Sequence, residues 1–409
     1  MRVLIATSGS MGDVAPYTGL GTRIRASGHE VTIATHEPFR SLVEGARLGF
    51  RPLPGDLRAT LARTPGGLNP VALLRQAALA RPLIASLGAG LAAAADSVRP
   101  EALLLSAMVA PLGYQVADAL GIRRAAAFLQ PIHPTREFAP VLTGGRSFGA
   151  PGNVLAGRLS VRAIEPLYAA PIRALRRDLG LPRVGLARLR ESQEWRAPTF
   201  HGFSPVVVPR PRDWPSPLTV TGYWWPAPTA WEPPAALTAF LAAGPAPVLV
   251  GFGSMVPGRG EQLAAVVVEA ARRAGVRVVL QAGWSGLAAM DRDDVLSIGP
   301  APHDRLFPLM AAVVHHAGAG TTAAGLRAGK PAVAVPVLAD QPFWAGRLHA
   351  LGIAPPPIPM SSLSADRLAP AFSAVTGNPH HAARAQALAA RIAAEDGTKP
   401  VLDWIETEK

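Results

Sequence analysis

The chain has 409 residues, 49% of them hydrophobic and 17% charged, with a formal net charge of +12 and no cysteine. That length fits two domains of ordinary size, and the apolar content supports a large core and excludes general disorder. The missing cysteine excludes a disulfide scaffold, thiolate metal sites and a thiol nucleophile, and it agrees with a reducing, cytoplasmic setting. Among the 40 basic residues only Lys330, Lys399 and Lys409 are lysine; the rest are arginines spread along the chain. The densest cluster, Arg173 with Arg176 and Arg177, has helical spacing and reads as a solvated face, so no nucleic-acid partner is expected.

In chain order, the first apolar run, residues 3–7, is too short for a signal segment and leads into a glycine-rich loop and a helical stretch. Strand candidates at 31–35, 102–106 and 125–129 follow, separated by Ala-rich helical stretches. That alternation is the pattern of a parallel sheet covered on both faces. The longest apolar stretch, 77–98, is mostly alanine and is broken by Arg81, Pro82 and Asp96, so no integral membrane association is expected. Residues 198–234 are dense in proline and tryptophan and read as a stiff connector. A second series of strand candidates follows at 248–252, 276–281, 295–298, 312–315 and 332–336. The expected fold is α/β, two doubly wound halves with ligands beyond the carboxyl ends of the strands. Two such sheets facing each other place a site in the cleft between them.

Two strand-to-helix loops carry the chemistry. The first is Ser8-Gly9-Ser10-Met11-Gly12-Asp13, the second His315-His316-Ala317-Gly318-Ala319-Gly320-Thr321-Thr322. A helix amino end attracts an anion through its free N–H groups. Asp13 already fills that place in the first loop and repels a diphosphate, whereas no acid occurs from Ala311 through Lys330. The diphosphate is therefore assigned to the second loop, with Gly318 and Gly320 allowing close approach and His316 and Thr321 offering donors. Acid–base chemistry falls to the first. Local readings stay open beside these: Asp13 as a helix cap, His316 as a buried histidine bonded to a carbonyl. A dinucleotide dehydrogenase is the natural rival, but Gly9 and Gly12 make GxxG rather than GxGxxG, and Asp13 opposes the phosphates. Asp340-Gln341 follows another apolar run and suits sugar hydroxyls, or a helix cap. Ser254, at the end of residues 248–252, is placed to reach a phosphate. Asp291-Arg292-Asp293 has metal–diphosphate spacing but stands before a strand, at the wrong end of the sheet, and reads as a surface turn; no metal is expected. The loop 130–152, with Pro131, His133, Phe138 and Phe148 among glycines, is expected to wall a lipophilic ligand, with Ser10 beside it.

At GSMGDVAP (9–16), VTGYWW (220–225), GFGSM (251–255), PHDRLFP (302–308), HHAGAGTTAAGLRAGKP (315–331) and DQPFW (340–344) the chain resembles the family 1 glycosyltransferases of the GT-B fold. Within them it is most similar to the sterol glucosyltransferase and bacterial natural-product branch. The resemblance implies an acceptor-binding domain over 1–205, a linker over 206–235 and a nucleotide-sugar domain over 236–385. A closing helix over 386–409 would cross back to the first domain. It implies an inverting, metal-independent transfer of a hexose from UDP-glucose or a dTDP-deoxysugar, with Asp13 as general base and no cofactor. Ser254 and the 316–321 loop would clamp the diphosphate, Asp340 and Gln341 would contact the hexose, and Pro302 and His303 would hold the base. Three departures stand out: Pro300 and Ala324 replace a tryptophan and a ribose-binding glutamate of plant relatives, and Ala317 replaces a glycine. The first two leave thymidine-linked sugars open. The expected partners are the donor and a lipophilic acceptor, with a second copy of the chain as the candidate protein partner. Alternatives from other classes are a sugar-nucleotide epimerase and a non-catalytic sugar-nucleotide-binding module.

Overall fold

A computed structural model describes residues 1–55, 70–185, 189, 197–253, 258–283, 286–287 and 292–407, with only the backbone over 70–80. Strands β1 (Arg2–Ala6), β2 (Glu30–Thr35), β3 (Gly49–Pro52), β4 (Ala102–Leu105), β5 (Arg123–Phe128), β6 (Thr199–His201) and β7 (Leu218–Val220) form one parallel sheet, ordered β3-β2-β1-β4-β5-β6-β7. Strands β8 (Val248–Gly251), β9 (Val278–Gln281), β10 (Val295–Ile298), β11 (Ala312–His315) and β12 (Ala332–Ala334) form the second, ordered β10-β9-β8-β11-β12. Both are doubly wound α/β sheets. Alternation along β1 sends Leu4 and Ala6 to one face, against Leu87 and Leu103, and Val3 and Ile5 to the other, against Leu20 and Ile33.

The strand order reverses between β1 and β4 in the first sheet and between β8 and β11 in the second. Such switch points open a crevice at the carboxyl ends of the strands. The loops after β1 and β11 are the two glycine-rich loops singled out in the sequence. Topology alone thus puts both at ligand-binding positions.

The proline-rich stretch differs from a plain connector. Residues 199–201 and 218–220 are strands that finish the first sheet, with Thr199–His201 paired to both β5 and β7. Proline is tolerated there because it sits before each strand and uses only its carbonyl: Pro198 O accepts from Ala126 N at 2.8 Å, and Pro217 O from Thr199 N at 2.9 Å. The chain therefore leaves the first sheet after Val220. Strand β3 is likewise a short element that its sequence, Gly-Phe-Arg-Pro, conceals.

A shared core joins the two halves. Phe203, Val207, Trp214 and Tyr223 pack with Leu326, Trp344, Leu348 and Ile392. The last helix, Lys399–Glu406, buries Val401 and Ile405 against Val3, Ile5 and Ala125 of the first sheet. Arg123 holds its end by donating to the carbonyls of Trp404, Ile405 and Thr407, with its guanidinium 4.8 Å over the Trp404 ring. Among the described residues no helix is long and apolar enough to cross a membrane.

Candidate active site

The Met11–Ala26 helix starts where β1 ends, and Asp13 stands in its first turn. The Asp13 carboxylate turns back on its own amino end: Oδ2 accepts from Ser10 N at 2.8 Å and from Ser10 Oγ at 2.9 Å. Gln130, two residues after β5, adds a third donor. Burial still dominates and holds the Asp13 carboxyl above the usual aspartate range, the Ser10 and Gln130 donors pulling the other way. A half-buried carboxylate with a raised pKa and three fixed donors is a built proton acceptor. The capping contact is compatible with a proton-accepting role, since the same oxygen that caps the helix holds the group in place.

The second loop presents a bare helix end. The Ala319–Arg327 helix has no acid in its first turn and Arg327 in its last, so its positive end is open toward the cleft. His315 Nδ1 accepts from Ala317 N at 3.0 Å, which fixes the loop and leaves the ring proton on Nε2. Ala317 pays for this geometry with a left-handed φ of 60° and is fully buried. His316 Nδ1 is buried with no hydrogen-bond partner. His316, Thr321, His303, Gln281, Gly251 and Gly253 line one small cavity below the loop. Desolvation lowers His303 and His316 to about 4 and His315 to about 3, so all three rings are neutral near pH 7. His303 stacks on Phe307 at 4.4 Å, just after Pro302, which caps the short helix that carries it.

The two loops meet. A β-carbon placed on Gly320 would sit 3.4 Å from the Gly12 Cα. Asp340 lies at the same junction, and the Asp13 charge is among the causes that raise its carboxyl to about 6, after desolvation; the Trp344 Nε1 donor at 2.9 Å opposes the shift. Gln341 is buried, and its Oε1 accepts from Val337 N and Leu338 N at 2.8 and 3.2 Å, so its NH2 is the end left to offer a ligand.

Asp13, His316, Gly318, Gly320, Thr321 and Asp340 are therefore gathered about one cleft. Ser254 lies outside the described residues, as does Asp291; Arg292 and Asp293 form the tight turn entering β10. The aromatic loop also packs on its neighbours, His133 and Phe138 being half-buried and Phe148 exposed. His133 Nδ1 is 3.2 Å from His201 Nε2, and its ring stacks on Phe128. Phe138 packs on Phe343 at 5.3 Å and on Trp214 at 6.3 Å, across the boundary between the halves. Pro131 is buried, while Ser10 stays at the carboxylate. Gln130 and Gln281, both at the carboxyl ends of strands, were the site residues that residue spacing did not single out; their position after β5 and on β9 is the signal that finds them.

Family comparison matches residues 3–131 to the glycosyltransferase family 28 N-terminal domain and residues 272–406 to the erythromycin biosynthesis protein CIII-like C-terminal domain. A curated relative, O-mycaminosyltylonolide 6-deoxyallosyltransferase of Streptomyces fradiae, is 36% identical over 100% of this chain and 98% of its own. The chain belongs to the GT-B glycosyltransferases. Sterol 3-beta-glucosyltransferase UGT80A2 of Arabidopsis thaliana is 33% identical over 97% of this chain, which spans 64% of that longer protein. Among solved structures, the glycosyltransferase of kitacinnamycin superposes with a TM-score of 0.72 at 22% identity, covering 99% of this chain and 98% of that one. VinC in complex with dTDP gives 0.71 at 20% identity, again with 99% and 98% covered. Both share this glycosyltransferase's two-sheet fold.

Proposed function

We propose that this glycosyltransferase moves a 6-deoxyhexose from its thymidine diphosphate to a hydroxyl of a lipophilic natural-product acceptor, with inversion at C1 and without a metal. The observation that carries the reading is the meeting of two helix amino ends in one cleft, one closed by a carboxylate and one free of acids. Asp13 takes the acceptor proton as that oxygen attacks C1, and the Ala319–Arg327 helix end, His316 and Thr321 receive the charge that grows on the departing diphosphate. Base and leaving group on opposite walls suit a single displacement. Asp340 and the Gln341 amide face the hexose hydroxyls. The thymidine preference is supported by the dTDP held by VinC and by the deoxysugar in the name of the Streptomyces fradiae relative. Alanine at 324 adds no acid for a ribose hydroxyl.

The test is a thermal-shift panel of dTDP, UDP, GDP and NAD, followed by donor turnover with a macrolide aglycone and a sterol. A ligand at 100 times its Kd adds about 2.7 kcal/mol, an easily measured shift. Stabilisation by dTDP and a product of inverted anomeric configuration are expected. NAD alone stabilising the chain, or a changed nucleotide sugar released without acceptor, overturns the reading. In Asp13→Asn, turnover is expected to fall by about 10²–10⁴ with dTDP affinity within about twofold of the parent; a near-normal rate removes Asp13 from its role.

A further inference from the structure

The Asp13 helix and the diphosphate-facing helix are tied together at two levels. At their amino ends they touch directly, at Gly12 and Gly320. About two turns further along each, they are joined through the connector. A β-carbon on Gly19 would run into the Trp225 carbonyl, and Ala227 N donates to Thr18 Oγ1 at 3.0 Å. On the other side of the same segment, the Arg327 guanidinium lies 4.6 Å over the Trp225 ring. Trp224 points the opposite way, packing on Tyr17 and donating from Nε1 to Gly397 O at 2.8 Å. One short run of connector thus holds the base-bearing helix, the last turn of the donor helix and the crossover to the final helix.

We infer that Trp225 and Arg327 are positioning residues for the transfer, their contact setting the separation between Asp13 and the diphosphate. The inference rests on the reading of Asp13 as the base. Arg327 is exposed and stands in the last turn of its helix, at the far end from the diphosphate, so its side chain can be removed without touching the donor grip. This cation over one ring ties the connector, and through it the Asp13 helix, to the donor helix. Transfer rates are sensitive to misplacements of about 1 Å, whereas donor binding to one domain is not.

In Arg327→Ala, kcat is expected to fall about threefold to thirtyfold, the loss a sub-ångström misplacement of base against diphosphate brings. Donor KM and the calorimetric Kd for dTDP are expected to stay within about twofold, with an unchanged melting temperature. Arg327→Lys, which keeps a cation over the ring, recovers most of kcat. Trp225→Leu gives a similar loss that does not add to that of Arg327→Ala. Wild-type kcat in Arg327→Ala, equal losses for the Lys and Ala variants, or a parallel fall in dTDP affinity or melting temperature overturns the inference. Asp13→Asn run alongside separates the two ideas. If it keeps its turnover the base reading fails; if it is inactive while Arg327→Ala is normal, only the positioning role fails.

Discussion

Asp13 and Asp340 meet across one cleft, and the groups around each decide how it titrates. Burial raises both, but Asp13 has Ser10 and Gln130 pulling it down while Asp340 has chiefly the Trp344 N–H. Asp340, raised to about 6, changes charge just below neutrality. Only its ionised form accepts two hydrogen bonds freely from a sugar. Activity therefore falls with acid: kcat/KM, which reports the free enzyme, is expected to lose its value below a midpoint near 6. In Asp340→Asn that limb disappears and kcat/KM at pH 7.5 drops about tenfold to a hundredfold, the worth of one charged hydrogen bond. Rates measured from pH 5 to 8 decide it; a limb near 6 that survives the substitution belongs to another group.

The elements that aim these residues are loops pinned at strand ends, and their glycines are structural requirements. Gly9 has a φ of 150°, and a β-carbon there would lie 2.5 Å from Asp13 Oδ2. Gly9→Ala is expected to cost about 1–3 kcal/mol of stability through backbone strain, with the added methyl pushing the carboxylate off Ser10. Calorimetric unfolding and steady-state rates should show both losses together, with dTDP affinity retained because the second loop is untouched. A fully active, equally stable variant contradicts this geometry. These loops were legible in the sequence because glycine and polar residues break off sharply after Val/Ile/Leu runs, and local periodicity carries that signal. Strands β6 and β7 were not: three residues among prolines carry no period, and they become strands only because β5 offers an edge some seventy residues away. The packing partners of Phe138 and His133 were hidden for the same reason. Their partners Phe343, Trp214 and His201 are distant in sequence and lie at a boundary between the halves. Which polar end of Gln341 faces the cleft was likewise undecidable before Val337 and Leu338 were seen to take its oxygen.

At the scale of the molecule, the packing that joins the two halves also makes the fold sensitive to acid. His201 is buried and His133 half-buried beside the shared core, and beneath the second loop His315 is buried and His303 and His316 half-buried. Burial lowers His133, His303 and His316 to about 4, His315 to about 3 and His201 well below its ordinary value. Unfolded, each titrates near 6.5, so the unfolded chain binds more protons between about 6.5 and 4. The stability these rings contribute is complete above about 6.5 and is lost as pH falls toward their folded values. Asp13, Asp340 and Glu395 act in the opposite sense, because their raised folded values favour the native state as they protonate. Glu37 and Asp396, held below their ordinary values, act in the same sense as the five rings, so a net destabilisation in acid is expected. The melting temperature at pH 5 is expected to lie at least about 5 °C below that at pH 7, a few kcal/mol at the usual conversion for large domains. Saturating dTDP should flatten the fall, since a diphosphate beside His316 favours its protonated form and lifts its pKa toward the unfolded value. Melting curves at pH 7, 6 and 5 with and without dTDP test both halves; a flat or rising profile for the free chain, or a fall that dTDP leaves unchanged, contradicts the neutral-histidine account.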